Sequence, residues 1–199
     1  MVLRRVRIED AARIAWAVAA SLDHLRPWMP WAVPEAASLQ AQLARVAEAN
    51  ELWEAGADYI YSVLPRGQDT AAAQDTVAGQ AGLHRRPADG GIEIGYWIAV
   101  SHTRQGLGTA AAQALTPVAL RLPGVKRVEI HCDEANTASC AIPRKLGYRL
   151  DRIDAHEPEA PGEQGRRMIW VMDGAGGAGA QTPPPAAPET TQTGTREAR

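Results

Sequence analysis

Gly91–Ala114, GIEIGYWIAVSHTRQGLGTAAAQA, is the stretch from which the rest of the chain can be read. Residues Ile92–Val100 are apolar and rich in β-branched and aromatic types, with one acid, Glu93, among them. That composition predicts a buried strand. A short polar loop, Ser101–Gln105, leads into Gly106-Leu107-Gly108-Thr109, and from there the apolar spacing is helical. Leu107, Ala110, Ala111, Ala114, Leu115 and Val118 recur at i, i+3, i+4, i+7, i+8 and i+11. A strand, a glycine turn and a helix start gather several unpaired backbone N–H groups at one corner, backed by the positive end of the helix dipole. Such a corner binds phosphate, and its glycines let a ligand come close to the backbone. No Lys-Ser/Thr pair follows the glycines and G-x-G-x-x-G is not completed, which argues against a nucleotide P-loop and a dinucleotide fingerprint.

Upstream, Thr76–His84 and Tyr59–Leu64 read as strands, with Pro65–Asp75 a polar, Ala-rich turn or hairpin tip between them. Leu3–Ile8 alternates as a first strand, and Asp10 is placed to cap a helix over residues 11–22. Leu25–Pro34 carries three prolines and cannot be regular helix. Ser38 caps a second helix reaching about Ala55, stopped by Gly56. Downstream, Lys126–Cys132 is a fifth strand, Thr137–Leu146 a short helix ending at Gly147, and Tyr148–Ile153 with Arg166–Met172 a last strand pair. Pro117 and Pro143 each fall inside a helix, where proline removes one backbone hydrogen bond. At Pro117 this predicts a kink or an early end. At Pro143 the bond lost is the one to the Ser139 carbonyl. Gly174–Arg199 is Gly, Ala, Pro, Thr and Gln with almost no large apolar residue, the composition of a disordered tail.

The 199 residues suffice for one domain with a sizeable core, in which Phe is absent and six Trp contribute. A net charge of −2 favours neither nucleic acid nor an anionic membrane as partner. Arg13 interrupts the apolar run after the basic start, so no signal peptide is expected, and no stretch approaches the roughly 20 apolar residues of a membrane span. A cytoplasmic, soluble protein is the expectation. Cys132 and Cys140 suggest neither a metal-ligand set nor a disulfide framework. His131 and Cys132 do not make a nucleophile pair, because adjacent strand residues point to opposite faces.

Thr103-Arg104-Gln105-Gly106-Leu107-Gly108 resembles motif A, Q/R-x-x-G-x-G/A, of the GCN5-related N-acetyltransferases (GNAT), with Thr103 where Gln or Arg is usual. Asn136-Thr137-Ala138-Ser139 with Lys145-Leu146-Gly147-Tyr148 is similar to the N-x-x-S…K-L-G-F/Y segment of that superfamily, and Glu93-Ile94-Gly95-Tyr96-Trp97 points to its RimJ/RimL-like branch. The resemblance covers about residues 3–173. It implies an α/β fold, with a mixed, mostly antiparallel sheet of about seven strands flanked by about four helices in one domain over residues 1–173. It also implies acetyl-CoA as cosubstrate, no metal, and an acceptor that is a protein N-terminal α-amine or a small-molecule amine. In that family backbone amides do most of the coenzyme binding. The matching positions are Ile98, Ala99, Val100, Thr103, Arg104, Gln105, Gly106, Leu107, Gly108 and Thr109, with Asn136 on the pantetheine arm. A homodimer is implied by resemblance only.

Amine acylation from a thioester needs a neutral amine and a protonated leaving thiol. An α-amine with a pKa near 7.7–8.0 is neutralised at pH 7 at a cost of about 1.4 kcal/mol, against roughly 4.6 for a lysine. A Glu in an apolar strand is poorly solvated as an anion and can take that proton, directly or through water, which makes Glu93 the candidate base. Its other reading is a strand carboxylate paired with an arginine. Ser139 can face the sulfur and protonate the leaving thiolate, as the serine at this motif position is proposed to do in RimL-like enzymes, or it can serve only as a helix-start hydrogen bonder. Tyr96 offers a hydroxyl or is core. Trp28 and Trp31, with Met29, wall the acceptor site or pack beneath their loop; His24 and Arg26 are further substrate candidates. A non-catalytic acyl-CoA-binding module is the alternative to an enzyme.

Overall fold

Arg127–Asp133 shows how the sheet sorts its side chains: Val128, Ile130 and Cys132 join one core, while Arg127, Glu129, His131 and Asp133 turn to the other face. The computed structural model describes residues 1–65 and 76–174. In it, β1 (Val2–Arg5), β2 (Asp58–Leu64), β3 (Gly79–His84), β4 (Gly91–Ile98), β5 (Arg127–Asp133), β6 (Arg149–Ala155) and β7 (Arg166–Asp173) form one sheet in the order β1-β2-β3-β4-β5-β7-β6. Every neighbouring pair is antiparallel except β4 and β5. Two of the expectations lie outside the described residues: the turn at Pro65–Asp75, beyond Pro65 itself, and the tail, beyond Gly174.

The helices are α1 (Ala11–Ala19), the single turn α2 (Leu22–Leu25), α3 (Leu39–Glu54), α4 (Leu107–Ala119) and α5 (Thr137–Lys145). One core lies between α4, α5 and a sheet face bearing Leu83, Ile92, Ile94, Val128 and Ile130. The other joins Ile14, Val18 and Val46 of α1 and α3 to Val6, Trp97 and Ala99. Burial on both faces explains why β4 reads as an apolar run after Glu93, whereas β5, with its Glu129 and His131 side on the cleft, alternates. No helix among the described residues is long and apolar enough to cross a membrane.

The Ser38 cap is as expected: its hydroxyl accepts from the Ala41 amide at 3.2 Å, and Gly56 with φ +69° follows the helix end. Asp10 departs from expectation. Its side chain makes no cap bond to α1; it is buried and accepts from Arg4, the Arg7 amide and the Ser62 hydroxyl at 2.7, 3.1 and 2.9 Å. β1 accordingly stops at Arg5, and residues 8–10 form a 3-10 turn that brings Asp10 back over β2. α1 ends at Ala19 instead of reaching residue 22.

α4 also differs. Its buried face is Gly108, Ala111, Ala112, Leu115, Thr116 and Ala119, rotated from the expected stripe, so Ala114 is exposed. The run of small residues left the face undecided by hydrophobicity alone. Nor does Pro117 end the helix, which continues to Ala119. Pro117 and Gln113 are both exposed, so water can serve the carbonyl that the proline leaves without a donor.

Burial alone would raise the Asp10 carboxyl; its hydrogen bonds to Arg4, the Arg7 amide and Ser62 outweigh this and hold it below the usual range. A depressed carboxyl contributes stability above its unfolded value, about 3.9, and loses it as pH falls through the folded value. Asp10→Asn is therefore expected to lower stability by about 2 kcal/mol at pH 7 and by much less at pH 2. Urea unfolding at the two pH values measures this; an equal deficit at both contradicts it.

Candidate active site

β4 and β5 pair only at Gly91–Arg127, Ile92–Val128 and Glu93–Glu129. β4 then runs on to Ile98 and β5 to Asp133 with no ladder between them. A cleft of about 1010 Å³ follows this parting, and it draws side chains from both sheet faces. Glu93 enters from the α1–α3 side and Tyr96, three residues on, from the α4–α5 side.

At the C-terminal end of β4 the chain turns through residues 100–102 into the glycine corner. Arg104 and Gly106 take positive φ, +60° and +76°, and α4 starts at Leu107. Among the described residues no acceptor is found for the backbone amides of residues 104–109. Six open N–H groups at the start of a 13-residue helix fit a diphosphate. Thr103 is differently employed, its hydroxyl donating to the Val100 carbonyl at 2.9 Å, and the Gln105 side chain donates to Ser101. The amides of Ala99 and Val100 are also engaged, by the Ala78 carbonyl and the Ser21 hydroxyl. Of these two positions only Val100, 44% exposed, offers a ligand a surface, and that surface is apolar. Ile98 is half-buried beside Gly108.

Across the cleft, Asn136 caps α5, its side-chain oxygen accepting from the Ser139 amide at 3.1 Å. It lines the cleft as well, so capping and ligand contact are compatible. Pro143, buried within α5, has no N–H to give the Ser139 carbonyl. The Tyr96 hydroxyl takes that place, 3.4 Å from the Ser139 carbonyl and 3.2 Å from the Ser139 hydroxyl. Burial pushes the Tyr96 phenol up, so it stays a neutral donor. Cys132 and Cys140, on β5 and α5, meet with Sγ atoms 2.9 Å apart, a contact hidden in the sequence because it joins a strand face to a helix face eight positions on.

Glu93 does not sit in a purely apolar setting. Its Oε2 is 3.7 Å from Arg86 and 3.8 Å from His131 Nδ1. Asp58, His84, Glu93 and Glu129 are register partners across β2, β3, β4 and β5, a row of ionisable residues on one sheet face. His84 bonds Asp58 at 2.7 Å, and its ring lies over Gly82 and Gly95, where a Cβ would collide with it at Gly82 and crowd it at Gly95. Trp31 lines the cleft and packs edge-on against Trp97, with Arg45 over its ring. Trp28 lines the cleft too, in a segment tied down by the Gly162 amide on the Pro27 carbonyl. His24 and Arg26 are exposed and outside it.

A sheet that parts beside a strand–loop–helix corner of free amides makes a cleft suited to a long, phosphate-bearing ligand such as a coenzyme. The chain belongs to the family described as Acetyltransferase (GNAT) domain, whose model matches residues 1–149. It is an N-acetyltransferase, with acetyl-CoA as cosubstrate. Its fold is similar to that of RimL, a ribosomal L7/L12 alpha-N-protein acetyltransferase in complex with coenzyme A (21% identity, TM-score 0.74, covering 86% of this chain and 93% of that one). RimJ of Mycobacterium smegmatis is comparable (22%, TM-score 0.74, 86% and 80%), as is the microcin C7 self-immunity acetyltransferase MccE (17%, TM-score 0.72, 86% and 91%). No curated protein sequence matches the chain.

Pro143→Ala gives α5 back the donor that competes with Tyr96 for the Ser139 carbonyl. The expected result is a higher unfolding midpoint, since interior proline costs about 3 kcal/mol relative to alanine, together with turnover reduced several-fold at unchanged coenzyme affinity. Calorimetric binding and steady-state kinetics measure both; wild-type turnover reduces Pro143 to a helix irregularity.

Proposed function

We propose that the protein transfers the acetyl group of acetyl-CoA to a primary amine, an α-amine foremost, by direct attack on the thioester. The observation that carries this reading is the convergence of Glu93 and the Tyr96–Ser139 pair on one cleft, beside the open amides of residues 104–109. The coenzyme supplies an activated carbonyl carbon and a thiol leaving group. Glu93 takes a proton from the arriving ammonium, directly or through water, and frees the nitrogen lone pair. Ser139, bonded to Tyr96, gives its proton to the departing sulfur and recovers one from the acylated nitrogen. Asn136 steadies the amide-bearing arm between them. Trp28 and Trp31 form a stiff wall for the acceptor.

An α-amine asks least of the base, about 1.4 kcal/mol at pH 7. The likeness to RimL, a ribosomal L7/L12 alpha-N-protein acetyltransferase, supports it. So does the charge of the cleft, where six carboxylic acids, Glu93 and Glu129 among them, are nearly matched by five arginines. A polycationic acceptor calls for a more acidic site. We further propose that the protein is cytoplasmic, acts without nucleic acid, in keeping with its net charge of −2, and is a homodimer by family resemblance.

An acceptor panel of N-terminal peptides and small amines, offered with acetyl-CoA or succinyl-CoA and read by mass, tests this directly. Glu93→Gln and Ser139→Ala are each expected to lower kcat about 100-fold with coenzyme affinity unchanged. Undiminished turnover in both variants removes these two roles while leaving the family membership intact.

A further inference from the structure

His131 was passed over in the sequence because its neighbour Cys132 points away from it. Its true partners lie two positions along the same strand face and across the cleft. His131 Nε2 is 2.6 Å from Glu129 Oε2. Glu129 is 1% exposed, and its other oxygen accepts from Arg127 Nε at 2.7 Å. Arg127 is itself anchored, donating to the carbonyls of Ala88 and Asp89 at 3.1 and 3.3 Å. Arg127 thus pairs with Glu129, and a carboxylate can only accept. In the neutral imidazole the proton shared with Glu129 sits on His131 Nε2, and Nδ1 carries the lone pair. That nitrogen is 3.8 Å from Glu93 Oε2, a small side-chain rotation short of a hydrogen bond.

Building on the proposed role of Glu93, we infer that His131 is the terminal acceptor of the amine's proton, reached through Glu93 and oriented by Glu129 and Arg127. The N–H bond of the ammonium breaks and its electron pair stays on nitrogen as the nucleophile. The proton forms an O–H bond on Glu93, then leaves it for Nδ1 of His131. The resulting imidazolium lies between two carboxylates, Glu93 and Glu129, which stabilise it. It discharges to water through the open cleft after product leaves, accounting for the one proton released per turnover. The second proton, lost as nitrogen bonds to carbon, goes to sulfur through Ser139 and is not handled here.

Other charges face this imidazole. From β3 and the turn after it come His84, engaged by Asp58, and Arg86, 3.7 Å from Glu93. On its own strand stand Arg127 and Asp133, and from β7 Arg167, which is paired with Glu159. Asp133 accepts from the amides of Ala135, Gln164 and Arg166, leaving it committed to loop structure. Glu129 is the anion in hydrogen-bond contact with the ring. Arg127 and Glu129 are positioning residues, and their removal should act on the titration of His131.

The test is the pH dependence of kcat/KM with an active amine from the panel. An imidazole ordinarily titrates near 6.5 and a glutamate near 4.3, so His131→Gln should move the acid limb about two pH units lower, as Glu93 becomes the last acceptor, and lower kcat ten-fold or more. Glu129→Gln keeps the hydrogen bond, removes the charge, and should shift the limb lower by a smaller step. Nitrogen-15 NMR of the histidines supplies a readout independent of turnover. The signals lost in His131→Gln should show the Nε2–H tautomer in the wild type, with a midpoint that falls in Glu129→Gln. An acid limb in His131→Gln coincident with wild type, or an Nδ1–H tautomer, overturns the inference. If His131→Gln does not fold, the limb and NMR midpoint in Glu129→Gln decide alone, and no shift in either overturns it. Retained activity in Glu93→Gln would instead strike the parent proposal, so the two failures are distinct.

Discussion

The chain depends on one interrupted ladder. β4 and β5 are the sheet's parallel pair, and they separate after Glu93 and Glu129. Beyond that point each strand has one backbone edge without a β-partner, and buried amides and carbonyls in that condition are costly. A ligand with amide groups along its length can satisfy such an edge as a strand does, which no compact substrate could. The antiparallel pairs on either side, β3–β4 and β5–β7, are continuous over six and seven residue pairs and keep the two strands from closing the gap. The opening is thus a property of the sheet, present before any ligand arrives.

The second consequence of the parting is where charge can be kept. Glu93 and Glu129 are register partners at the last rung, so two carboxylates on one face come together where the sheet ends as a continuous surface. Like charges so placed repel unless something lies between or beside them. Arg127 sits against the inner one and His131 reaches from the inner toward the outer. The same face carries Asp58 and His84 on β2 and β3. This polar row occupies a sheet face that elsewhere supports the α1–α3 core, so it exists at the expense of helix packing there. Gly82 and Gly95, register partners on adjacent strands, keep the floor low enough for the His84 ring to lie flat.

How much of this was legible in the sequence follows from the range of the forces involved. The glycine corner, the Ser38 cap and the Ser139 helix start are local: each is decided by residues within four positions of one another, and each was readable. Asp10 was misread because a capping aspartate and an aspartate buried on Ser62 look alike within their own segment, and the deciding partner is 52 positions away. The α4 face was misplaced because alanine contrasts weakly with its neighbours, so only packing against the sheet chooses which alanines go inside. His131 was visible as one of four alternating polar residues on β5, Arg127, Glu129, His131 and Asp133. What concealed its role was that strand alternation says which residues share a face, while only the register with β4 says that Glu93 stands opposite.

Tyr96 and Pro143 show why local rules bend at this place. A proline in the middle of a nine-residue helix is a poor choice for stability, and a buried tyrosine hydroxyl needs a partner in a site dry enough to push its titration far upward. Each defect answers the other: the carbonyl released by Pro143 is the acceptor that Tyr96 requires, and Tyr96 replaces the donor that the helix lacks. The phenol has one proton, and with it on the Ser139 carbonyl the phenol oxygen is left to accept from the Ser139 hydroxyl, which fixes the serine's orientation. An ordinary helix here would satisfy the Ser139 carbonyl internally and deprive the buried phenol proton of that acceptor. The helix is weakened where the phenol needs an acceptor, so the arrangement favours a fixed Tyr96–Ser139 pair over a stable turn.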